Sequence, residues 1–460
     1  MAASAPLNVV ILAAGKGTRM RSARPKVLHE AAGLPLLAWV IRAAQGLKPE
    51  HLHLVVGPET EADAAQGTLP GQDAVTSWSV QAERKGTGHA VAQAKDALQG
   101  ATGYTLVLYA DTPLVTTQAL AELVADTLAD GADLALSTFE TGQPAGYGRV
   151  ILDAEGRPSA IVEDRDATPA QRALTLCNGG LMLVRNAVLF DLLGQLRADN
   201  DAGELYMTDV VALAREAGLK TRAAELDQAL LAGVNSRADL AAVEAQLQQR
   251  LRAAVMEAGV TLIAPETVTL CHDTVIGADT VVEPNVFFGP GVSIGTGCRL
   301  RAGSYFEGAS VGEGVIIGPM ARLREGSQLD QGVKVGNFVE IKKAHLAAGA
   351  KAPHLTYVGD AEVGERANLG AGTITCNYDG VNKHQTTIGP GAFIGSNAAL
   401  VAPVSIGAGA IVGAGSTVTE DVADDAIITT RAPARLKAGA AERYRNRLRQ
   451  LKARRENGGG

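Results

Sequence analysis

Beyond Gly259 aliphatic residues return every six positions, and this period constrains what the second half of the chain can fold into. Ile276, Val282, Phe288, Ile294, Leu300 and Phe306 make one train. After a one-residue slip Val311, Ile317, Leu323, Leu329, Val335 and Ile341 make a second, and Ile388, Ile394, Leu400, Ile406, Val412 and Val418 a third. Glycine often follows the aliphatic position, as in Ile276-Gly277 and Ile394-Gly395. Ordinary antiparallel strands would show a period of two and irregular turns. A sustained period of six predicts a hexapeptide β-helix, with the aliphatic residue inward and the small residue easing the corner. Aromatic residues are only 4% of 460 while glycines number 53, so the core is built from small aliphatic side chains, which suits a thin solenoid. The period breaks between Ile341 and Val363, where the register is expected to be lost, and again at the extra segment Cys376–His384. Solenoid insertions map to loops, often on a binding face.

The first half obeys a different rule. Val9–Leu12, Leu52–Val56 and Thr105–Tyr109 are unbroken apolar runs, and helical patterns at Leu36–Ala44 and Gln118–Ala129 alternate with them. Strands covered on both faces and alternating with helices predict a parallel α/β sheet. Ser236 with Asp239 makes a capping pair, and Leu240, Val243, Leu247, Leu251 and Val255 then follow at helical spacing. The chain therefore divides into an α/β domain over 1–237, a connecting helix over 238–258 and a β-helix domain over 259–460.

Lys and Arg total 42 against 49 Asp and Glu, a net charge of -7, which argues against bulk binding to nucleic acid or anionic membrane. Charged residues at 20% with 46% apolar residues fit a folded chain. Cys177, Cys271, Cys298 and Cys376 are scattered and read as having neither a Cys-x-x-Cys pair nor a Cys/His cluster, so neither a disulfide framework nor a structural zinc site is expected. Val9–Ala14 is far short of the roughly 20 apolar residues that span a bilayer, and no basic region precedes it. No membrane insertion and a cytoplasmic location are expected.

Val9–Leu12 runs into Ala13-Ala14-Gly15-Lys16-Gly17-Thr18-Arg19-Met20, with Pro25-Lys26 close behind. Backbone amides of a glycine loop at a strand end can approach phosphates, and Arg19 and Lys26 add two cations. By itself the segment reads equally as a tight turn with solvated basic residues. In the second half His354 is a candidate general base, because an unperturbed imidazole titrates near neutrality. It sits in the register break beside Tyr357.

The Leu12–Met20 loop followed by Pro25-Lys26 resembles that of sugar-1-phosphate nucleotidyltransferases, and Tyr109-Ala110-Asp111 resembles their metal-binding segment. Gln81, Gly86-Thr87-Gly88, Gly146–Arg149, Glu163, Asn178-Gly179 and Gly233-Val234-Asn235 fall in the same order. With HLTYVGDAEVG and GAGTITCNYDG on a hexapeptide repeat, the whole chain is similar to the bifunctional N-acetylglucosamine-1-phosphate uridyltransferase/glucosamine-1-phosphate acetyltransferase family. The resemblance implies a Rossmann-like nucleotidyltransferase domain followed by a left-handed parallel β-helix. It also implies two reactions, acetylation of glucosamine-1-phosphate by acetyl-CoA and uridylyl transfer from UTP with Mg²⁺.

For uridylyl transfer it implies that Asp111 and Asn235 hold the metal and that Arg19 and Lys26 stabilise phosphates. Leu12, Ala13, Ala14, Gly15, Tyr109 and Ala110 would line the nucleotide, Gln81, Gly86 and Thr87 grip uracil, and Gly148, Glu163 and Asn178 contact the sugar. For acetyl transfer it implies His354 as base, oriented by Glu340, with Arg324 and Lys342 on the sugar phosphate. Tyr357, Asn368, Asn377 and Tyr378 would surround the sugar. Asn377 and Tyr378 would also face acetyl-CoA, with Ala371, Ser396, Ala414 and Arg431. A homotrimer with sites between subunits follows from the same resemblance. Two rivals stand beside it: a single-activity nucleotidyltransferase whose β-helix only assembles or regulates, and a scaffold or metal-dependent hydratase. The second would want converging histidines, and His272, His345, His354 and His384 recur at no fixed interval. The arginine-rich tail Ala441–Glu456 reads as a solvated basic helix, with contact to CoA phosphates or RNA as the minor alternative, and Gly458–Gly460 as disordered.

Overall fold

A computed structural model describes residues 5–200 and 202–457; the glycines 458–460, expected to be disordered, lie outside the described residues. The chain divides into two compact units, one running to Glu257 and including Thr269–Thr274, the other made of Ala258–Val268 and the chain from Val275 onward.

In the first unit the apolar runs become strands Leu7–Ala13, His51–Val56 and Tyr104–Tyr109. They lie side by side and parallel, with Leu7–Ala13 between the other two. Val9, Ile11 and Ala13 feed one core, and Val10, Leu12 and Ala14 feed the core on the opposite face. Unbroken apolar sequence is required because a strand with helices on both faces has no solvent side. The helical patterns appear as Leu36–Gln45 and Thr117–Asp130.

The sheet is mixed, where the sequence predicts a parallel one. Strand Leu176–Arg185 runs antiparallel to both Tyr104–Tyr109 and Leu134–Glu140. The chain reverses at the tight turn between the antiparallel strands Arg149–Leu152 and Pro158–Val162, and after the short helix Pro169–Arg172 it keeps the new direction, so Leu176–Arg185 is antiparallel to Arg149–Leu152 as well. Parallel and antiparallel partners demand the same double-sided burial, so apolar patterning does not separate them.

The connecting helix spans Arg237–Glu257 and packs on the first unit, with Val243 and Leu247 buried against Met20, Leu36, Leu114 and Val234. Its start is a reciprocal cap: Asp239 accepts from the amides of Asn235 and Ser236 at 2.9 and 2.8 Å, and Ser236 Oγ accepts from Asp239 N at 3.2 Å.

In the second unit each two- or three-residue strand pairs in parallel with one a full coil away. Val282 pairs with Leu300, eighteen residues later, as three hexapeptides require. The slip shortens the next coil by one, so Leu300 pairs with Ile317. The inward aliphatics are buried, and Phe288 and Phe306 stack inside at 5.2 Å. The register expected to fail after Ile341 does not. Ile341 pairs with Val358 and Leu346 with Val363, and Ala352 fills the inward slot between. Alanine is too small to mark the period, although the coil continues. The extra segment does lengthen a coil, since Leu369 pairs with Ile394, twenty-five residues on.

Candidate functional site

The first candidate site forms at the C-terminal end of strand Leu7–Ala13. A cavity of about 230 Å³ is lined by Leu12, Ala14, Gly15, Lys26, Gln81, Gly86, Thr87, Tyr109 and Asp111 among others. Gly17 has φ +62°, and a Cβ there would lie 2.5 Å from Lys26 Cβ, so a glycine lets the lysine cross beneath the loop. Gly86, at φ +103°, presses against Leu205, whose carbonyl oxygen would be 2.5 Å from an added Cβ. The buried Gln81 donates to Gly86 O at 2.9 Å, and Thr87 Oγ1 accepts from Met207 N at 3.0 Å. Burial pushes the Tyr109 hydroxyl up to about 12, against a hydrogen bond with Thr87. It stays protonated.

Asp111 and Asn235 meet although 124 positions separate them, because Val234 N donates to Asp111 O at 2.8 Å. Between their side chains sits the Lys26 ammonium, ion-paired to Asp111 Oδ2 and donating to Asn235 Oδ1 at 3.2 Å. A carboxylate and an amide oxygen converging on one positive centre form the hard donor set that Mg²⁺ takes. Ala13 and Ala110 are buried beneath this point, and Ala110 N donates to Leu12 O at 3.0 Å. Arg19 is exposed on the turn Thr18–Met20, outside the cavity lining.

Gly148, Glu163 and Asn178 gather beside this cavity. Asn178 N donates to Gly148 O at 2.8 Å, and a Cβ on Gly148 would stand 3.6 Å from both Asn178 Cβ and Glu163 Oε2. Gly180, on the same strand, faces the Tyr109 ring. Burial raises the pKa of Glu163, which Thr208 Oγ1 meets at 3.3 Å. Arg84 and Glu204 also line the cavity and were not anticipated. Arg84 Nε donates to Ala14 O at 2.8 Å, a contact with the glycine loop that no motif spacing encodes.

The second candidate site lies on the β-helix. His354 ends strand Lys351–His354 and is exposed, with Nδ1 2.8 Å from Asn337 Oδ1. An amide oxygen only accepts, so Nδ1 carries the proton and Nε2 of the neutral ring keeps its lone pair. The implied orienting residue, Glu340, does not touch His354; it pairs with Arg324 at 2.9 Å. Coil register is the reason, since stacking sets Asn337 beside His354 and Glu340 beside Tyr357. Sequence reading missed Asn337 because a neighbour one coil away is visible only once the coil length is known.

Lys342 and Tyr357 sit half-buried on the stacked strands Glu340–Leu346 and Tyr357–Val363. The buried Asn377 donates to Tyr357 Oη at 3.4 Å and to Asp360 Oδ2. The extra segment is a small hairpin in which Tyr378 bridges Lys383, whose ammonium lies 4.2 Å from the Tyr378 ring centroid. Asn368 is half-buried on the neighbouring sheet, one coil from Lys351. Ala371, Ser396 and Ala414 stack on successive coils, linked by Asn397 N to Ala371 O at 2.7 Å and Gly415 N to Ser396 O at 2.8 Å. Exposed Arg431 continues this column beside Gly415.

Among the described residues no helix is long and apolar enough to cross a membrane. The tail is a helix, Ala440–Asn457, exposed over residues 441–454.

Comparison with known proteins covers both units. The MobA-like NTP transferase domain matches residues 9–257, and the bacterial transferase hexapeptide family (six repeats) matches 273–308 and 385–420. A Ruegeria sp. (strain TM1040) protein named Bifunctional protein GlmU is 51% identical over 98% of this chain and 99% of its own. Proteins of that name from Jannaschia sp. (strain CCS1) and Paramagnetospirillum magneticum are each 48% identical, covering 97% and 99% of this chain and 97% and 100% of theirs.

Proposed function

This chain belongs to the bifunctional GlmU family, and on that premise we propose a two-site enzyme that makes UDP-N-acetylglucosamine from glucosamine-1-phosphate, acetyl-CoA and UTP. The β-helix runs the first reaction. Arg324 and Lys342 hold the sugar phosphate dianion, and Tyr357, Asn368, Asn377 and Tyr378 surround the sugar. The amine attacks the thioester carbonyl, His354 Nε2 takes the ammonium proton, and the carbon–sulfur bond breaks to release CoA. Asn337 fixes the tautomer that leaves Nε2 free, while Glu340 holds Arg324 in place. Ala371, Ser396, Ala414 and Arg431 flank the pantetheine and phosphates of CoA.

The α/β unit runs the second reaction. An oxygen of the N-acetylglucosamine-1-phosphate phosphate attacks the α-phosphorus of UTP, the bond to the β-phosphate breaks, and pyrophosphate leaves. Such a transition state needs charge neutralisation and in-line positioning more than covalent help. Gln81, Gly86 and Thr87 read uracil in the cavity that opens beside the glycine loop. Gly148, Glu163 and Asn178 hold the sugar, and Lys26 and Arg19 meet the phosphates. Asp111 and Asn235 would hold Mg²⁺, which supplies charge neutralisation to the phosphates when bound. Lys26 then turns from these two oxygens toward the substrate.

The tethered, exposed imidazole of His354 carries the two-site reading, since a β-helix that only assembles the protein has no use for it. His354→Ala should abolish acetyl transfer and spare uridylyl transfer, measured separately on the purified chain. Loss of both would return the β-helix to a structural role. A homotrimer in the cytoplasm completes the reading, supported by four unpaired cysteines and by the exposed apolar column Phe393, Ile411 and Ile427 along one sheet. Sedimentation at a single mass near that of the monomer would sink the trimer.

A further inference from the structure

The turn at Cys271–Thr274 has no part in either reaction, yet it gathers three chemically different metal donors. Cys271 O accepts from Thr274 N at 3.1 Å, Cys271 N donates to Thr274 Oγ1 at 3.0 Å, and His272 N donates to Ala32 O at 2.8 Å. On extended backbone neighbouring side chains point to opposite faces. This turn folds them together instead. Cys271 Sγ lies 3.4 Å from His272 Nδ1, and these two residues and Asp273 each offer a ligand atom within 4.8 Å of the others. The turn belongs to the first compact unit, where the His272 ring meets Trp39 edge-on at 6.3 Å between centroids.

The spacing suits a small tetrahedral ion. Zinc–sulfur and zinc–nitrogen bonds of about 2.3 and 2.1 Å place the two ligand atoms roughly 3.6 Å apart. Burial is graded, with Cys271 buried, His272 half-buried and Asp273 exposed, so a cation can enter from the solvent side. Sulfur with imidazole selects borderline-soft ions over Mg²⁺, which takes the oxygen pair of Asp111 and Asn235. We propose that Cys271, His272 and Asp273 form a binding site for a zinc-class divalent cation, with water as the fourth ligand. On binding, the Cys271 thiol releases its proton to solvent as the metal–sulfur bond forms, and no group is oxidised or reduced. The sequence expectation of no structural zinc site rested on the absence of Cys-x-x-Cys spacing and of a Cys/His cluster, and the converging Cys271 and His272 correct the second ground. A contiguous Cys-His-Asp triple escapes that rule because only the turn makes its side chains converge.

Cobalt(II) titration of the full chelator-treated chain tests the site, in a Trp78→Phe background that leaves Trp39 as the emitting indole. One equivalent of Co²⁺ should give a thiolate-to-cobalt absorption band and quench Trp39, and Zn²⁺ should displace both signals. Cys271→Ser should abolish the band, and His272→Ala and the exposed Asp273→Asn should each weaken binding about tenfold or more, with both transfer activities unchanged. A missing band, a band that survives Cys271→Ser, or quenching indifferent to all three substitutions overturns the proposal.

Discussion

Lys26 is held where a cation belongs, between the Asp111 carboxylate and the Asn235 amide oxygen. On the proposed reading the same oxygens would hold Mg²⁺, with Lys26 turned to substrate phosphate. Asp111→Ala should therefore lower Mg²⁺-dependent uridylyl transfer by about 100-fold or more, with acetyl transfer unchanged; retention of near-full uridylyl transfer would remove Asp111 from the site. Asn337 meets the imidazole through its amide oxygen at 2.8 Å, and the proposed role is to fix the tautomer of His354. Asn337→Ala should lower kcat for acetyl transfer by about tenfold, less than the loss for His354→Ala, and alter the pH profile with little effect on KM. An unchanged pH profile would make Asn337 merely structural. Residue types with strong chemistry, such as Asp111, Lys26 and His354, stand out in the sequence. Asn337, Arg84 and Glu204 do not, because coil stacking and loop approach place them at the sites.

At the scale of elements, caps and close-packed glycines do the positioning. Asn235 sits at the entry of helix Arg237–Glu257, whose first turn Asp239 and Ser236 cap reciprocally. Ser236→Ala should cost about 1 kcal/mol, read as a lower thermal midpoint, and should raise the Mg²⁺ requirement by loosening Asn235. A lower midpoint with an unchanged Mg²⁺ requirement would separate the cap from the site. Capping residues and helical stripes are local, so they were legible. The antiparallel direction of Leu176–Arg185 was not, because hydrophobic patterning records burial and not polarity. Ala352 likewise hid a coil, since burying a methyl group leaves little hydrophobic signal.

For the whole molecule, pH dependence of stability has a defined source in the first unit. His53 is buried between Ser77 Oγ at 2.8 Å and Ser79 Oγ at 2.9 Å, and burial lowers its pKa to about 4 from an unfolded value of 6.5. Its contribution is fully present above about 6.5 and lost as pH falls through about 4, roughly 3 kcal/mol in all. Denaturant titrations at pH 7 and pH 4 should show this loss, and His53→Gln should flatten it; an equal fall in the variant would place its source elsewhere.

Periodicity and burial are summed along the chain, so the order of residues alone determined the α/β half, the six-residue coil and the capped helix between them. Which groups meet is a matter of register, and register depends on exact loop lengths and on contacts between segments far apart in sequence. That is why the partner of His354, the meeting of Asp111 with Asn235 and the folding together of Cys271, His272 and Asp273 were decided only in three dimensions.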